Sequence, residues 1–258
     1  MDARMNHQII IKKTELLINE STVLIRDICK YSLKNRNNCT IALSGGSTPK
    51  IFFPELVKLK DTIQWEQVHF FLVDERFVPF TDKDSNYSMI KEYLFDQVSI
   101  PQKNIHPIYT NEDSAEIVSK KYEESLKNHF KLNNNTFPCF DIVMLGLGLD
   151  GHTASLFPGT QALNEKKRIA VSVHPKEDMH DRISLTFPVI NNARNILFLI
   201  NGIEKADVAR EIIINKNDSL PAARIKPHNG NLYFFLDENE GKLVKKDSQH
   251  EKTVHCRC

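Results

Sequence analysis

Three short segments gather the residues able to hold and turn over a small anion: Leu43-Ser44-Gly45-Gly46-Ser47-Thr48-Pro49, Val73-Asp74-Glu75-Arg76, and Leu145-Gly146-Leu147-Gly148-Leu149-Asp150-Gly151-His152. In each, an apolar run of strand length stops abruptly in glycines or ionisable side chains. Glycine and serine ahead of a helix present unblocked backbone N–H groups, the positive end of the helix dipole and two hydroxyls, a combination suited to phosphate. The same composition serves a plain strand-to-helix turn, and composition alone leaves both readings open. It is not a Walker loop, because no Gly-x-x-x-x-Gly-Lys is present. His152 stands two residues from Asp150 on a glycine-flanked strand end. A carboxylate there can orient an imidazole that exchanges protons near neutral pH. A histidine that only hydrogen-bonds within its turn is the plainer alternative. Asp74, Glu75 and Arg76 read either as a second wall of one crevice or as a solvated cluster. His174, His180 and His228 fall in polar, proline-bearing loops and carry no chemistry in this reading.

Gly146, Gly148 and Gly151 spell Gly-x-Gly-x-x-Gly after a strand, which raises dinucleotide binding as a rival. That motif needs a helix opening at the third glycine and an acid about 20 residues further on. Here the continuation His152-Thr153-Ala154-Ser155-Leu156-Phe157-Pro158-Gly159 ends within about two turns of helix. The expected next strand, Ile169–Val173, carries no acid. The rival is set aside.

These segments need a scaffold that brings them together, and hydrophobic periodicity supplies one. Strand-length apolar runs at His7–Ile11, Cys39–Leu43, Val68–Val73 and Asp141–Leu145 alternate with helix-length stretches: one capped at Thr14, one with Pro49 in its first turn, and two at Ser85–Phe95 and Asp113–Phe130. Further strands are expected at Ile169–Val173, Ile183–Thr186, Ile196–Ile200 and Leu232–Leu236, with a helix at Glu204–Ile214. The alternation predicts an α/β fold, a mostly parallel sheet flanked by helices. Val68–Val73 is almost purely apolar and is expected to be central. In open parallel sheets the carboxyl ends of the strands form the ligand crevice, so the three segments should converge there.

The 258 residues suit one large α/β domain, expected over residues 1–241, with a polar, Lys-rich extension over residues 242–258. Asn133-Asn134-Asn135 is too short a polar break to be an interdomain linker. With 34 Lys+Arg against 33 Asp+Glu, the formal charge of +1 gives no reason to expect nucleic acid or an anionic membrane as partner. No run approaches the ~20 apolar residues of a membrane helix, and the amino terminus is too short in apolar residues for a signal peptide. Cys29, Cys39 and Cys139 are scattered singly, and an odd total of 5 is a poor disulfide framework. The carboxy-terminal Val254-His255-Cys256-Arg257-Cys258 offers three potential ligands but no tetrahedral set, so no metal is expected. A cytosolic protein, monomeric or weakly homo-oligomeric, is the expectation.

The motifs are also similar to those of a known family. Ser44-Gly45-Gly46-Ser47-Thr48-Pro49, Asp74-Glu75-Arg76-Phe77-Val78-Pro79 with Ser85-Asn86-Tyr87, and Gly148-Leu149-Asp150-Gly151-His152-Thr153-Ala154-Ser155-Leu156-Phe157-Pro158 strongly resemble 6-phosphogluconolactonases. Arg182-Ile183-Ser184-Leu185-Thr186, Gly202-Ile203-Glu204-Lys205-Ala206 and Leu220-Pro221-Ala222 continue the pattern in order, from about Ile9 to Leu236. The resemblance implies a Rossmann-like open sheet with helices on both faces, shared with glucosamine-6-phosphate deaminases. It implies hydrolysis of 6-phospho-D-glucono-1,5-lactone to 6-phosphogluconate, with a phosphosugar lactone as the small-molecule partner and no metal or organic cofactor. His152 is then the general base and Asp150 its orienting or electrostatic support. Ser44, Gly45, Gly46, Ser47 and Thr48 would hold phosphate with Arg76, Arg182 and Lys205, and Asp74 would line the same site. The deaminases usually read Asp-Glu-Tyr where Arg76 stands. They also carry an acid in an Asn-Glu-Pro continuation where this chain has Ser155-Leu156-Phe157-Pro158, which separates the two activities. A sugar-phosphate-binding regulator of the same fold would add a DNA-binding helical module, for which the residues before Ile9 are too few.

Overall fold

The computed structural model describes residues 6–133, 135–176, 179–242 and 244. In chain order the strands and α-helices are β1 (Asn6–Lys12), α1 (Thr14–Arg36), β2 (Cys39–Leu43), α2 (Ser47–Val57), β3 (Val68–Leu72), β4 (Asp74–Arg76), α3 (Asn86–Tyr93), β5 (Ile105–His106), α4 (Ala115–Phe130), β6 (Ile142–Leu145), β7 (Ala170–Val173), β8 (Arg182–Leu185), α5 (Phe187–Ile190), β9 (Asn195–Ile200), α6 (Ala206–Ile213) and β10 (Asn231–Asp237). Seven strands form one sheet in the order β1-β10-β9-β6-β2-β3-β5, and every pairing in it is parallel.

The order places the site. From β2 the chain runs outward through β3 to β5, then returns to the other flank of β2 with β6 and continues outward through β9 to β10. The direction of winding therefore reverses between β2 and β6, the position where open sheets leave a crevice. All residues of β2 and β6 are buried, as continuous apolar runs in a parallel sheet require. Their carboxyl ends release Ser44–Thr48 and Gly146–His152. Ser44 Oγ donates to the Met144 carbonyl at 2.9 Å and ties the two loops at their roots.

Three expectations need correcting. β3 is not central: only the two-residue β5 lies outside it. Its burial comes from the packing of Phe70 and Phe71 against Phe95, Phe130 and Phe140. The strands expected at Ile169–Val173 and Ile183–Thr186 do not join the parallel sheet. As β7 and β8 they form a second, antiparallel sheet, ordered β4-β8-β7, with Asp74–Arg76 as its third strand. The chain changes sheets at Val73, whose N–H donates to the Leu43 carbonyl (2.9 Å) while its own carbonyl accepts from Leu185 N–H (2.8 Å). Third, Cys29 and Cys39 are not isolated. Both are buried free thiols with sulfurs 3.6 Å apart.

The extension is expected over residues 242–258. Residues 238–242 and 244 are helical, and Val244 is buried. The remainder of that stretch, including the His-Cys-Arg-Cys terminus, lies outside the described residues.

Candidate active site

The crevice at the β2/β6 reversal has a volume of about 390 Å³, and it gathers every residue expected from the sequence except Asp150, which sits behind His152. The Ser44–Thr48 loop forms one wall, Gly146–Leu149 with His152 a second, and the small sheet a third through Asp74, Arg76 and Arg182. Lys205 closes the fourth side from the start of α6.

The imidazole of His152 is fixed from two directions. Its Nδ1 is 2.5 Å from Asp150 Oδ1, and the same carboxylate oxygen accepts the His152 backbone N–H at 3.1 Å. With Nδ1–H given to the carboxylate, the neutral ring carries its lone pair on Nε2. Burial acts to raise the Asp150 carboxyl, but the hydrogen bonds and charge of His152 outweigh it and hold the group below its ordinary value. Phe157 packs against the ring at a centroid distance of 4.3 Å. Gly148 makes the room, since a Cβ there would come within 2.1 Å of His152 Nδ1. Instead of a helix, Gly146–Leu156 forms tight turns, with Gly151 N–H donating to Gly148 O and Gly148 N–H to His152 O. Ala154 follows at φ 52°, a left-handed conformation that stores of order 1 kcal/mol at a non-glycine residue.

The opposite part of the crevice is electropositive. Gly46 caps α2 with no side-chain bond, and the first turn holds no acid, so its leading N–H groups and dipole face the cavity uncompensated. The loop approaches closely because Gly45 has no side chain: a Cβ there would lie 1.8 Å from Asn86 Oδ1. The β4–β8 register sets Arg76 directly opposite Arg182. Two like charges facing each other across a ladder are unfavourable unless something anionic sits between them. Arg76 Nη1 donates to the Asp84 carbonyl at 2.5 Å. Arg182 is 8% exposed, and its Nε has no hydrogen-bond partner among the described residues. Burial, reinforced by Arg76, lowers the Arg182 pKa against the pull of Asp74, Glu75 and Asp84. A guanidinium that lines a cavity with one donor left unsatisfied suits an anion.

Not every expected residue is free to bind. The hydroxyl of Ser44 is engaged with Met144, and Asp74 Oδ2 accepts from Ser155 Oγ at 2.7 Å, so two serines of the crevice are spoken for. Glu75 points away from the cavity. It is fully buried and accepts the backbone N–H groups of Arg76, Asn86 and Tyr87, each at 2.7 Å, and Ser85 Oγ at 3.2 Å. Burial pushes its carboxyl up to about 7 although the three N–H bonds oppose this. It fastens β4 to α3 and so sets the position of Arg76. Asn86, Phe157, Met179 and Glu204 also line the crevice. Asn86 and Phe157 stand inside the family-like segments, yet their residue types give no signal in sequence, because an amide or a phenyl ring advertises no chemistry of its own.

A family model described as glucosamine-6-phosphate isomerases/6-phosphogluconolactonase matches residues 12–234. The chain is 39% identical to the 6-phosphogluconolactonase of Synechocystis sp. over 233 residues, 90% of this chain and 95% of that one. It is 39% identical to the Haemophilus influenzae 6-phosphogluconolactonase over 208 residues, 79% and 87% of the two chains. Among solved structures, the 6-phosphogluconolactonase of Trypanosoma brucei superposes with a TM-score of 0.81 at 31% identity, covering 92% of this chain and 98% of that one. A monomeric glucosamine-6-phosphate deaminase, at 20% identity and a TM-score of 0.75, shares the fold. By its matched length, its motifs and its structure, this chain belongs to the glucosamine-6-phosphate isomerase/6-phosphogluconolactonase family.

Proposed function

We propose that this protein hydrolyses 6-phospho-D-glucono-1,5-lactone to 6-phosphogluconate, with His152 as general base. The observation that carries this reading is the pairing, in one crevice, of a carboxylate-oriented imidazole with a separate cluster of three cations. A lactone is an activated ester and needs a positioned water, a base and an anchor. His152 Nε2 takes a proton from water as its oxygen attacks C1, and the imidazolium that forms is stabilised by Asp150. When the tetrahedral intermediate collapses, the bond from C1 to the ring oxygen breaks and the imidazolium returns the proton to that oxygen. The products are a hydroxyl group and a carboxylic acid that ionises.

The phosphate sits against the α2 amino terminus, with Arg182, Arg76 and Lys205 around it. Binding energy gathered there fixes the carbonyl carbon, remote from the phosphate, against the base. A covalent serine route lacks support: Ser44 and Ser155 donate elsewhere, and no Gly-x-Ser-x-Gly elbow exists. No acid stands beside His152 in the stretch Ser155-Leu156-Phe157-Pro158, which disfavours deamination. Among the described residues no helix is long and apolar enough to cross a membrane.

The deciding experiment is proton release from freshly made lactone, corrected for spontaneous hydrolysis, beside an ammonia assay with glucosamine 6-phosphate. Acceleration of lactone opening is expected. Ammonia release without it would overturn the assignment.

A further inference from the structure

At the amino-terminal part of β3, away from the crevice, three elements converge on a second cluster. His69 and Phe71 lie on one face of β3 by strand periodicity, and the parallel register sets His106 of β5 beside Phe71. His129, in the last turn of α4, packs over both. One nitrogen from each of the three imidazoles lies within 4.8 Å of the other two. His69 Nδ1 and His106 Nε2 are 3.2 Å apart. In a tetrahedral zinc site with N ligands at ~2.0–2.1 Å, neighbouring nitrogens are about 3.3 Å apart. One edge of such a site is therefore already at its proper length. The ring of His129 is centred 4.7 Å from that of His69 and 4.8 Å from that of His106, so modest ring rotation brings in the third ligand.

The surroundings suit soft, neutral nitrogen donors. Phe71 lies flat against His106 at 4.3 Å with an interplanar angle of 4°, and Phe130 packs edge-on against His129 at 5.1 Å. All three imidazoles are half-buried, and burial, helped by their mutual proximity, holds His106 and His129 down to about 4; His69 is lowered as well, by burial and then by Lys103. The α4 carboxyl terminus favours a cation next to His129, while the charge of Lys103 works against one.

We propose that His69, His106 and His129 form a binding site for a divalent transition ion of the zinc class, with its fourth position open to water. The site clips the short edge strand β5 and the end of α4 to β3. It lies outside the catalytic crevice and takes no part in lactone hydrolysis.

The test uses the full chain after chelator treatment, titrated with Co²⁺ and then Zn²⁺. Wild type should bind one Co²⁺ saturably with visible bands of tetrahedral intensity, displaced by Zn²⁺. Zinc at about 100 times its dissociation constant should raise the melting temperature by roughly 5 °C. His129→Gln and His106→Gln should weaken binding at least tenfold, whereas His152→Ala and the double variant C256S/C258S should bind as wild type does. Lactonase activity should be equal in the chelated and zinc-loaded protein. Imidazole NMR of wild type alone decides the matter if a variant fails to fold, because zinc should shift three of the 10 histidines. No saturable binding, unshifted imidazoles at positions 69, 106 and 129, or binding lost with His152 or the terminal cysteines would overturn the proposal.

Discussion

Replacing Arg182 by methionine keeps an unbranched stem in this buried position and removes the guanidinium. In the unliganded protein that charge is a liability. A buried donor without a partner costs about 1–3 kcal/mol, and the cross-strand arginine pair adds up to about 1 kcal/mol. Asp74, Glu75 and Asp84 offset part of this. The expected net effect of Arg182→Met is a gain of about 1 kcal/mol in stability, or roughly 2–4 °C in melting temperature for a chain of this size. Toward the substrate the same change deletes a charge-assisted contact to phosphate in a mostly buried position, worth about 2–4 kcal/mol. That predicts a fall in kcat/KM of about 30- to 1000-fold. Thermal unfolding with and without inorganic phosphate, together with the corrected lactone assay, reads both effects. Phosphate should stabilise wild type more than the variant. A variant that melts several degrees lower, or one with undiminished kcat/KM, would show that Arg182 is a structural strut and refute the argument.

His152→Ala should lower kcat by about 10²–10⁴-fold with a smaller change in KM, since the phosphate contacts remain; full activity in the folded variant would remove His152 from the mechanism. Lys205→Ala should reduce kcat/KM for the phosphorylated lactone by about 2–4 kcal/mol but scarcely affect δ-gluconolactone, which has no phosphate; equal losses on both would deny Lys205 that contact. Gly148→Ala should impair kcat because its Cβ would displace the His152 ring, and a crystal structure with the ring unmoved would contradict this. Glu75 gives a pH signature. Its folded value, about 7, lies above the ordinary 4.5, so the fold favours the protonated form. That stabilising contribution is whole below about pH 4.5 and is lost as pH rises through about 7, roughly 3 kcal/mol across the span. Glu75→Gln should flatten that portion of the stability profile and lower stability at every pH, because an amide nitrogen would face backbone donors; an unchanged profile would argue against it.

The crevice itself was legible because glycine, serine and ionisable residues interrupt apolar runs, and interruptions at strand ends in a parallel sheet share one edge. Those residues do meet at the β2/β6 reversal. The second sheet was not legible. Asp74-Glu75-Arg76 is too short and too polar to read as a strand, and only its pairing with β8 reveals it as one. For the same reason the opposition of Arg76 and Arg182 is invisible in sequence, since two arginines so far apart have no register until the strands are aligned. β3 looked central because its apolar residues are buried by helices and aromatic rings, and hydrophobicity reports burial without saying what does the burying. The histidines at 69, 106 and 129 gave no signal at all. Metal-ligand signatures are recognised by local spacing, and each of these comes from a different element.

Val73 has a further consequence. One peptide plane on each side of this residue belongs to a different sheet, so the two crevice walls share this joint of main chain. The wall carrying the loop amides and the wall carrying the arginines cannot breathe apart without breaking a bond at Leu43 or at Leu185. The binding site is therefore dimensioned before substrate arrives, as a calliper locked at one opening rather than a jaw that shuts. Binding then loses little freedom of the protein itself, and the amides of Val73 and Leu185 should exchange with solvent only as slowly as the whole molecule unfolds. Rapid exchange at either would mean that the joint is loose. A locked opening also implies selectivity by length, because a sugar phosphate one carbon shorter would seat its phosphate and leave its carbonyl carbon short of the imidazole.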